Sequence, residues 1–571
     1  MIKIEFLTDA FRRDVLTRAE KRRLLKLMVI GVVAALSDVF VVGLLYPFIA
    51  LLSGDASQSE KQNLFGLFNA ESNKEELMYA CLALVFGYIL RMIIFIIYKR
   101  GVAQLRRDIQ IRFSSLVFDS YLKRNYEFYS STNTSETIRI ISAIGGYLGV
   151  YIFGVLTLVS ELTLGLGLIA LVTVISPESI IPALVVCAVL GFVAHRSTRS
   201  KMKHAGARAN DAVSGRLRIM QEGFSGISEI KLYSKEQLFK EEFAGFQSRA
   251  ADAESDFEVY SGLTSPLFEL VLILSLIAFT SIYVSTSEDF SLILPTLALL
   301  AGAAFRVIPS FGRLINYMQN LDFGRATADE LRALAESAKP RSRFEDSLET
   351  LKMSLSAESP LKLVNLCFAY QTTQVPVIKH INMQFEHGKV YCISGGSGSG
   401  KSTLVALILG LLKPTEGDVC VGNRSISESL QTWQKSIGYV PQTIFLRDDT
   451  IRSNITLGDS LDEPSKLKRV ISHAGLETFL DNQPDGFDTK VGESGSRISG
   501  GERQRIGIAR ALYREPSVLV FDEATSALDQ ETEDQILDTI FEMRGNITII
   551  ILSHNPAVIE RCDVVYSLQQ Q

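Results

Sequence analysis

Six apolar runs dominate the first 310 residues: 24–52, 77–98, 150–175, 179–195, 262–284 and 290–309. A bilayer core takes about 20 helical residues to cross. Inside lipid every backbone N–H and C=O must be bonded within the protein, which leaves helices or a closed barrel. The run from Leu24 to Leu52 carries only Lys26 and Asp38 as charges. A single run can be a buried core helix, and 179–195 is short enough for that. The set of six predicts a membrane domain with both termini on one side. A hydrophobic share of 47% beside 21% charged residues agrees with a chain split between lipid and water.

The loops set the orientation. Residues 53–76, 176–178 and 285–289 hold only Lys61 and Lys74 as basic residues. The alternate loops hold Lys99, Arg100, Arg106, Arg107 and Arg112, then Arg196, Arg199, Lys201 and Lys203. The positive-inside rule therefore places both termini in the cytoplasm. Residues 1–23, with Arg12, Arg13, Arg18, Lys21, Arg22 and Arg23, read as a basic amphipathic helix on the inner membrane face rather than a cleavable signal. The long inner loops, 99–149 and 196–261, keep helical periodicity and read as prolonged membrane helices. Each breaks once, at Tyr126–Ser130 and at Gly223–Ile227. Corners of that kind could press on a cytoplasmic domain; plain hairpin corners are the alternative.

Residues 325–358 are charged, lack a long apolar run and contain Pro340. From about 359 the texture becomes short apolar strands, glycine turns and amphipathic helices, an α/β pattern. There Val390–Ile393 leads into Gly395-Gly396-Ser397-Gly398-Ser399-Gly400-Lys401-Ser402-Thr403 and then Leu404–Leu409. That is strand, glycine loop, helix. The glycines let the backbone curl round a polyphosphate with its N–H groups inward, and the helix dipole adds positive potential. Lys401 would hold the β- and γ-phosphates of ATP and Ser402 would ligate Mg²⁺. Farther on, Val518–Phe521 ends in Asp522 and Glu523. Asp522 is placed for the Mg²⁺ shell and Glu523 to activate water, since phosphoryl transfer needs mostly placed charge. The formal net charge of −5 argues against nucleic acid as partner. The six cysteines include no C-x-x-C pair, so neither a disulfide framework nor a thiolate metal site is expected.

Ile498-Ser499-Gly500-Gly501-Glu502 resembles the signature motif of ATP-binding cassette (ABC) ATPases, usually Leu-Ser-Gly-Gly-Gln. In that family's order, Tyr370 matches the adenine-stacking aromatic, Gln442 the Q-loop, Thr489–Gly495 the exporter-type X-loop, Ser526–Asp529 the D-loop and His554 the switch histidine. The resemblance implies a six-helix all-α transmembrane domain of the ABC exporter type (1–325), a linker (326–358) and a cytoplasmic α/β nucleotide-binding domain (359–571). It also implies a homodimer in which Ser499, Gly500, Gly501 and Glu502 of one chain face the ATP held by the other's Lys401, with Asp529 nearby. Glu523, His554 and Gln442 become the catalytic set, and Ser402, Gln442 and Asp522 the metal set. Glu502 stands where glutamine is usual. Members generally continue past Val564–Leu568 through a further turn, whereas this chain ends at Gln571.

The sixth run and its extension, Arg306-Val307-Ile308-Pro309-Ser310-Phe311-Gly312-Arg313, resemble the bacterial flippases of lipid-linked oligosaccharides, the PglK-like group. Arg91 in the second run fits the same resemblance, and Leu64, Phe65, Leu67 and Phe68 could form that group's small external helix. Pro266-Leu267 departs from the Pro-Arg found there. An arginine in a membrane span generally faces a watery cavity, and guanidinium grips pyrophosphate bidentately. Arg91, Arg306 and Arg313 are therefore the candidate substrate residues in a bacterial inner-membrane flippase. The alternative is that Arg91 and Arg306 snorkel, or pair structurally with acids such as Glu161 or Glu269. Rival functions are a multidrug or lipid-A-type exporter, a peptide or toxin exporter, and a soluble ABC ATPase.

Overall fold

The computed structural model describes residues 16–53, 73–131, 134–175, 177–263, 293–324, 359–370, 375–396, 398–458, 463–523 and 530–568, with isolated positions between 266 and 281 and residue 329. It divides into two units: Met1–Lys123 with Asn133–Pro340, and Arg124–Thr132 with Arg341–Gln571.

The first unit is helical throughout its described residues. Helix α1 (Arg18–Gly43) opens on a capping box: Thr17 N–H donates to Glu20 Oε2 at 2.7 Å, and the Thr17 side chain accepts from Glu20 N–H. Arg18–Arg23 are thus the first turns of the spanning helix, a correction to the separate amphipathic helix expected there. Residues 1–15 lie outside the described residues. Leu25, Val29, Val33, Leu36 and Phe40 form an exposed stripe along α1, while Leu24, Leu27, Ala34, Ala35, Val41 and Val42 are buried. The run 24–52 is not one helix. A turn at Leu44 separates α1 from α2 (Leu45–Ser53), because Pro47 in the first turn of α2 has no N–H to continue the ladder.

Helix α3 (Asn73–Leu122) is 50 residues long. At 1.5 Å per residue that is about 75 Å, more than twice a bilayer core. Its apolar half exposes Leu82, Phe86, Ile89, Met92, Ile93 and Ile97, a surface that water would disfavour and lipid accepts. Next come α4 (Tyr126–Ser131), α5 (Thr134–Ile175), α6 (Pro177–Ser225), α7 (Ile227–Leu232), α8 (Glu236–Gly262) and α9 (Ile293–Phe323). The inner loops are helix extensions, as their periodicity predicts. The first corner is α4, which belongs to the second unit. The second is the turn at Gly226 between α6 and α7. Among the described residues, Arg18–Gly43, Lys74–Leu122 and Gly154–Val174 are long and apolar enough to cross a membrane. The run 179–195 lies within α6, whereas the runs 262–284 and 290–309 fall partly on positions outside that description, as do the linker and the external-loop residues Leu64–Phe68. Small residues let the helices close on one another: a Cβ on Gly101 would sit 2.5 Å from Leu27 Cδ2, and one on Gly154 would overlap the Tyr317 ring.

The second unit is a two-sheet α/β domain. Strands β1 (Leu361–Ala369), β2 (Pro376–Phe385), β4 (Glu416–Val421) and β5 (Arg424–Ser425) form an antiparallel sheet in the order β2-β1-β4-β5. A parallel sheet runs β6-β7-β8-β3-β9, with β3 Val390–Gly395, β6 Ile437–Val440, β7 Val518–Asp522, β8 Thr548–Leu552 and β9 Val564–Leu568. All five residues of β8 are buried, which reads as the continuous apolar run of a two-sided parallel strand. At about 1.5–3 kcal/mol for each buried aliphatic side chain, this central strand is a principal source of stability.

Candidate functional site

Parallel strands bring their C-terminal ends to one edge, and open α/β sheets bind ligands outside that edge. Here β3 ends in the glycine loop, β8 in Ser553-His554, β7 in Asp522-Glu523, and β6 leads through Pro441 to Gln442. The alternating order in space puts the glycine loop's strand and the acidic strand on either side of β8.

The glycine loop turns through Gly398 (φ +79°) and Gly400 (φ +89°), the second capping helix α10 (Lys401–Ile408). A side chain at either position would be strained. Lys401 Nζ donates to the Gly395 carbonyl at 2.7 Å and to Gly396 at 3.1 Å, so the ammonium arches over its own loop. Ser399 Oγ is buried with no hydrogen-bond partner among the described residues, a polar group suited to an anion. Ser402 is exposed and Thr403 is buried, its hydroxyl 3.1 Å from that of Tyr370. The Tyr370 ring meets Phe368 edge-on. Ser397 and the Ser526–Asp529 segment lie outside the described residues.

Glu523 is the meeting point. Gln442 Nε2 donates to its Oε2 at 3.1 Å, and His554 Nδ1 stands 3.8 Å from its Oε1. Its backbone is left-handed (φ +49°), a strained conformation at the point where the chain leaves β7. Beside it, Tyr439 O–H donates to Asp522 Oδ2 at 3.2 Å. Burial pushes the Asp522 carboxyl above its ordinary range; the Tyr439 bond and Lys401 pull it back, while Glu523 opposes them. The oxygens of Ser402, Gln442 and Asp522 are a donor set that suits a hard cation such as Mg²⁺.

The signature segment starts helix α11 (Gly500–Tyr513) with a second capping box: Ser499 Oγ accepts from Glu502 N–H, and Glu502 Oε2 accepts from Ser499 N–H at 2.7 Å. Glu502 therefore does locally what a glutamine amide oxygen would do.

In the first unit, Arg91 on α3 donates through Nε to Asp38 Oδ1 on α1, and Arg306 Nη2 on α9 is 3.7 Å from the same oxygen. Arg306, Ser310 and Arg313 recur at i, i+4 and i+7 and so share one face of α9. Arg313 engages both oxygens of Glu161 on α5, Nε to Oε1 and Nη2 to Oε2 at 2.9 Å. Ser310 Oγ adds a 3.5 Å contact to the Glu161 carbonyl.

Residues 24–301 match the ABC transporter transmembrane region family and residues 378–526 the ABC transporter family. The chain is an ABC exporter half-transporter. Among its relatives is the ATP-dependent lipid A-core flippase of Saccharophagus degradans, 29% identical over 81% of this chain and 76% of the relative. The protein of the same description from Ralstonia nicotianae is 25% identical over 84% and 82%. A bacterial Atm1-family ABC exporter solved with ATP bound shares the fold, with a TM-score of 0.77 over 97% of this chain and 94% of that one, at 21% identity. The exporter thus couples ATP hydrolysis to transport across a membrane.

Two partners of the exporter's site residues escaped sequence reasoning. Tyr439 sits two residues before Pro441 in an apolar strand, where nothing but strand order shows that it reaches Asp522. Asp38 was visible as the lone acid of its run, but its place opposite Arg91 and Arg306 depends on three-helix packing. The pairing alternative named acids such as Glu161 and Glu269; Arg91 and Arg306 lie against Asp38 instead, and Glu161 pairs with Arg313.

Proposed function

We propose that this exporter works as a homodimer and moves an amphiphile with a phosphorylated headgroup across the bacterial inner membrane, with both termini cytoplasmic. The observation that carries the substrate reading is the convergence of Arg91 and Arg306 on one carboxylate between apolar helices. Charge is retained in a membrane span at a cost, and it marks a polar path through it. A polyprenyl-diphosphate oligosaccharide is the first reading, since its diphosphate matches paired guanidinium groups. A lipid-A-type lipid is the second, favoured by the likeness to ATP-dependent lipid A-core flippases.

For the nucleotide, Lys401 and the loop N–H groups bind the phosphates, with Tyr370 against the base and residues 359–571 as the ATP-binding domain. Ser402, Asp522 and Gln442 would hold Mg²⁺, which when bound neutralises charge on the β- and γ-phosphates. Glu523 takes a proton from the attacking water, held in aim by Gln442 and His554. Ser499, Gly500, Gly501 and Glu502 of the second chain, with Asp529, complete the site. Closure of the two domains opens the membrane path outward, and hydrolysis resets it.

The test is reconstitution in liposomes with a polyprenyl-diphosphate glycan, a lipid A and a cationic drug. ATP-dependent movement of a phosphorylated lipid supports the reading, and movement of the drug alone removes it.

A further inference from the structure

Asp38 ties three helices, α1, α3 and α9, through one oxygen, with Arg91 hydrogen-bonded to it and Arg306 at 3.7 Å. The side chains are 17%, 22% and 27% exposed, respectively. Each guanidinium carries one positive charge and five N–H donors, more than the single Asp38 carboxylate between them can match. The neighbouring pair is different: Glu161 meets Arg313 one to one, with both oxygens engaged. Among the described residues the surplus of positive charge therefore lies at Asp38.

We infer that Asp38 is a resident counter-ion, holding Arg91 and Arg306 until the phosphate or diphosphate of an anionic headgroup displaces it. The inference rests on the proposal that these arginines receive such a headgroup. An arginine without a counter-charge is strongly disfavoured between apolar helices, and Asp38 reduces that penalty. The same carboxylate competes with the ligand, so apparent affinity is reduced by the fraction of time the arginines are held. A diphosphate, with several charged oxygens, outcompetes one carboxylate; a zwitterionic headgroup, whose ammonium would face the guanidinium groups, does not. Exchange at Asp38 also alters what links α1 to α3 and α9, so headgroup arrival is registered by three helices.

The experiment uses the full chain in phosphatidylcholine nanodiscs, titrated with a polyprenyl diphosphate and, separately, with inorganic pyrophosphate. Asp38→Asn is expected to bind the polyprenyl diphosphate about tenfold more tightly than the wild type, and Asp38→Glu to match the wild type. An equal gain for pyrophosphate supports the counter-ion role and assigns recognition to the phosphates alone; a gain confined to the lipid assigns it to the whole amphiphile. Unchanged or weaker binding by folded D38N overturns the role. If D38N gives no folded protein, Asp38→Ser removes the charge in a smaller side chain and is read in the same way. The double variant Arg91→Ala, Arg306→Ala tests the underlying reading separately. Undiminished binding there removes the headgroup site itself, while lost binding there without a gain in D38N removes only the part assigned to Asp38.

Discussion

Gln442 and Glu523 are hydrogen-bonded, Nε2 to Oε2, at 3.1 Å across the ends of adjacent strands β6 and β7. The residue proposed to activate water is thus gripped by the loop that follows β6, and His554 stands on its other side. A shift of that loop would move Glu523 with it, which gives a physical route from loop position to hydrolysis rate.

Glu523→Gln keeps the size of the side chain and removes the base. Phosphate release is expected to fall by about a hundredfold or more, with ATP binding retained. Steady-state turnover and equilibrium nucleotide binding measured on the same sample check this; turnover near the wild-type rate contradicts the assignment.

Tyr439→Phe preserves ring packing and deletes the bond to Asp522. Hydrogen bonds to a charged group contribute about 1.5–3 kcal/mol. Binding of ATP with Mg²⁺ is expected to weaken about tenfold or more, while binding of ATP in chelator stays as in the wild type. Equal losses in both conditions would instead mean a general disturbance of the sheet.

Glu502 separates capping from charge. Glu502→Ala breaks the box at α11 and is expected to cost about 1 kcal/mol of stability, read as a lower Tm. Glu502→Gln keeps an acceptor for Ser499 N–H and removes a negative charge from the helix end proposed to face the partner's nucleotide. Its expected effect is a lower KM for ATP with an unchanged Tm. A higher KM in E502Q would contradict that placement.

Much of this was legible in the chain because it is written in local chemistry. The glycine loop, the acidic end of Val518–Glu523 and the signature segment each carry their meaning in a few consecutive residues, and the parallel sheet brings Gln442, Glu523 and His554 together as their order implies. Helix periodicity likewise carried α3 and α6 through the inner loops. What was hidden depends on register between distant segments. The break at Leu44 is a Pro47 effect inside an otherwise uniform apolar run. The partnership of Asp38 with Arg91 and Arg306 spans 53 residues in one case and far more in the other. Pair choice among several acids and arginines is set by helix rotation, which hydropathy does not encode.

The most direct test of the substrate claim is ATP-driven movement of a polyprenyl-diphosphate lipid in liposomes, compared between the wild type and Arg91→Ala. The two-arginine site predicts movement in the wild type and a fall in the variant to the level of Glu523→Gln. Wild-type rates in Arg91→Ala, or equal movement of a zwitterionic lipid by the wild type, would contradict it.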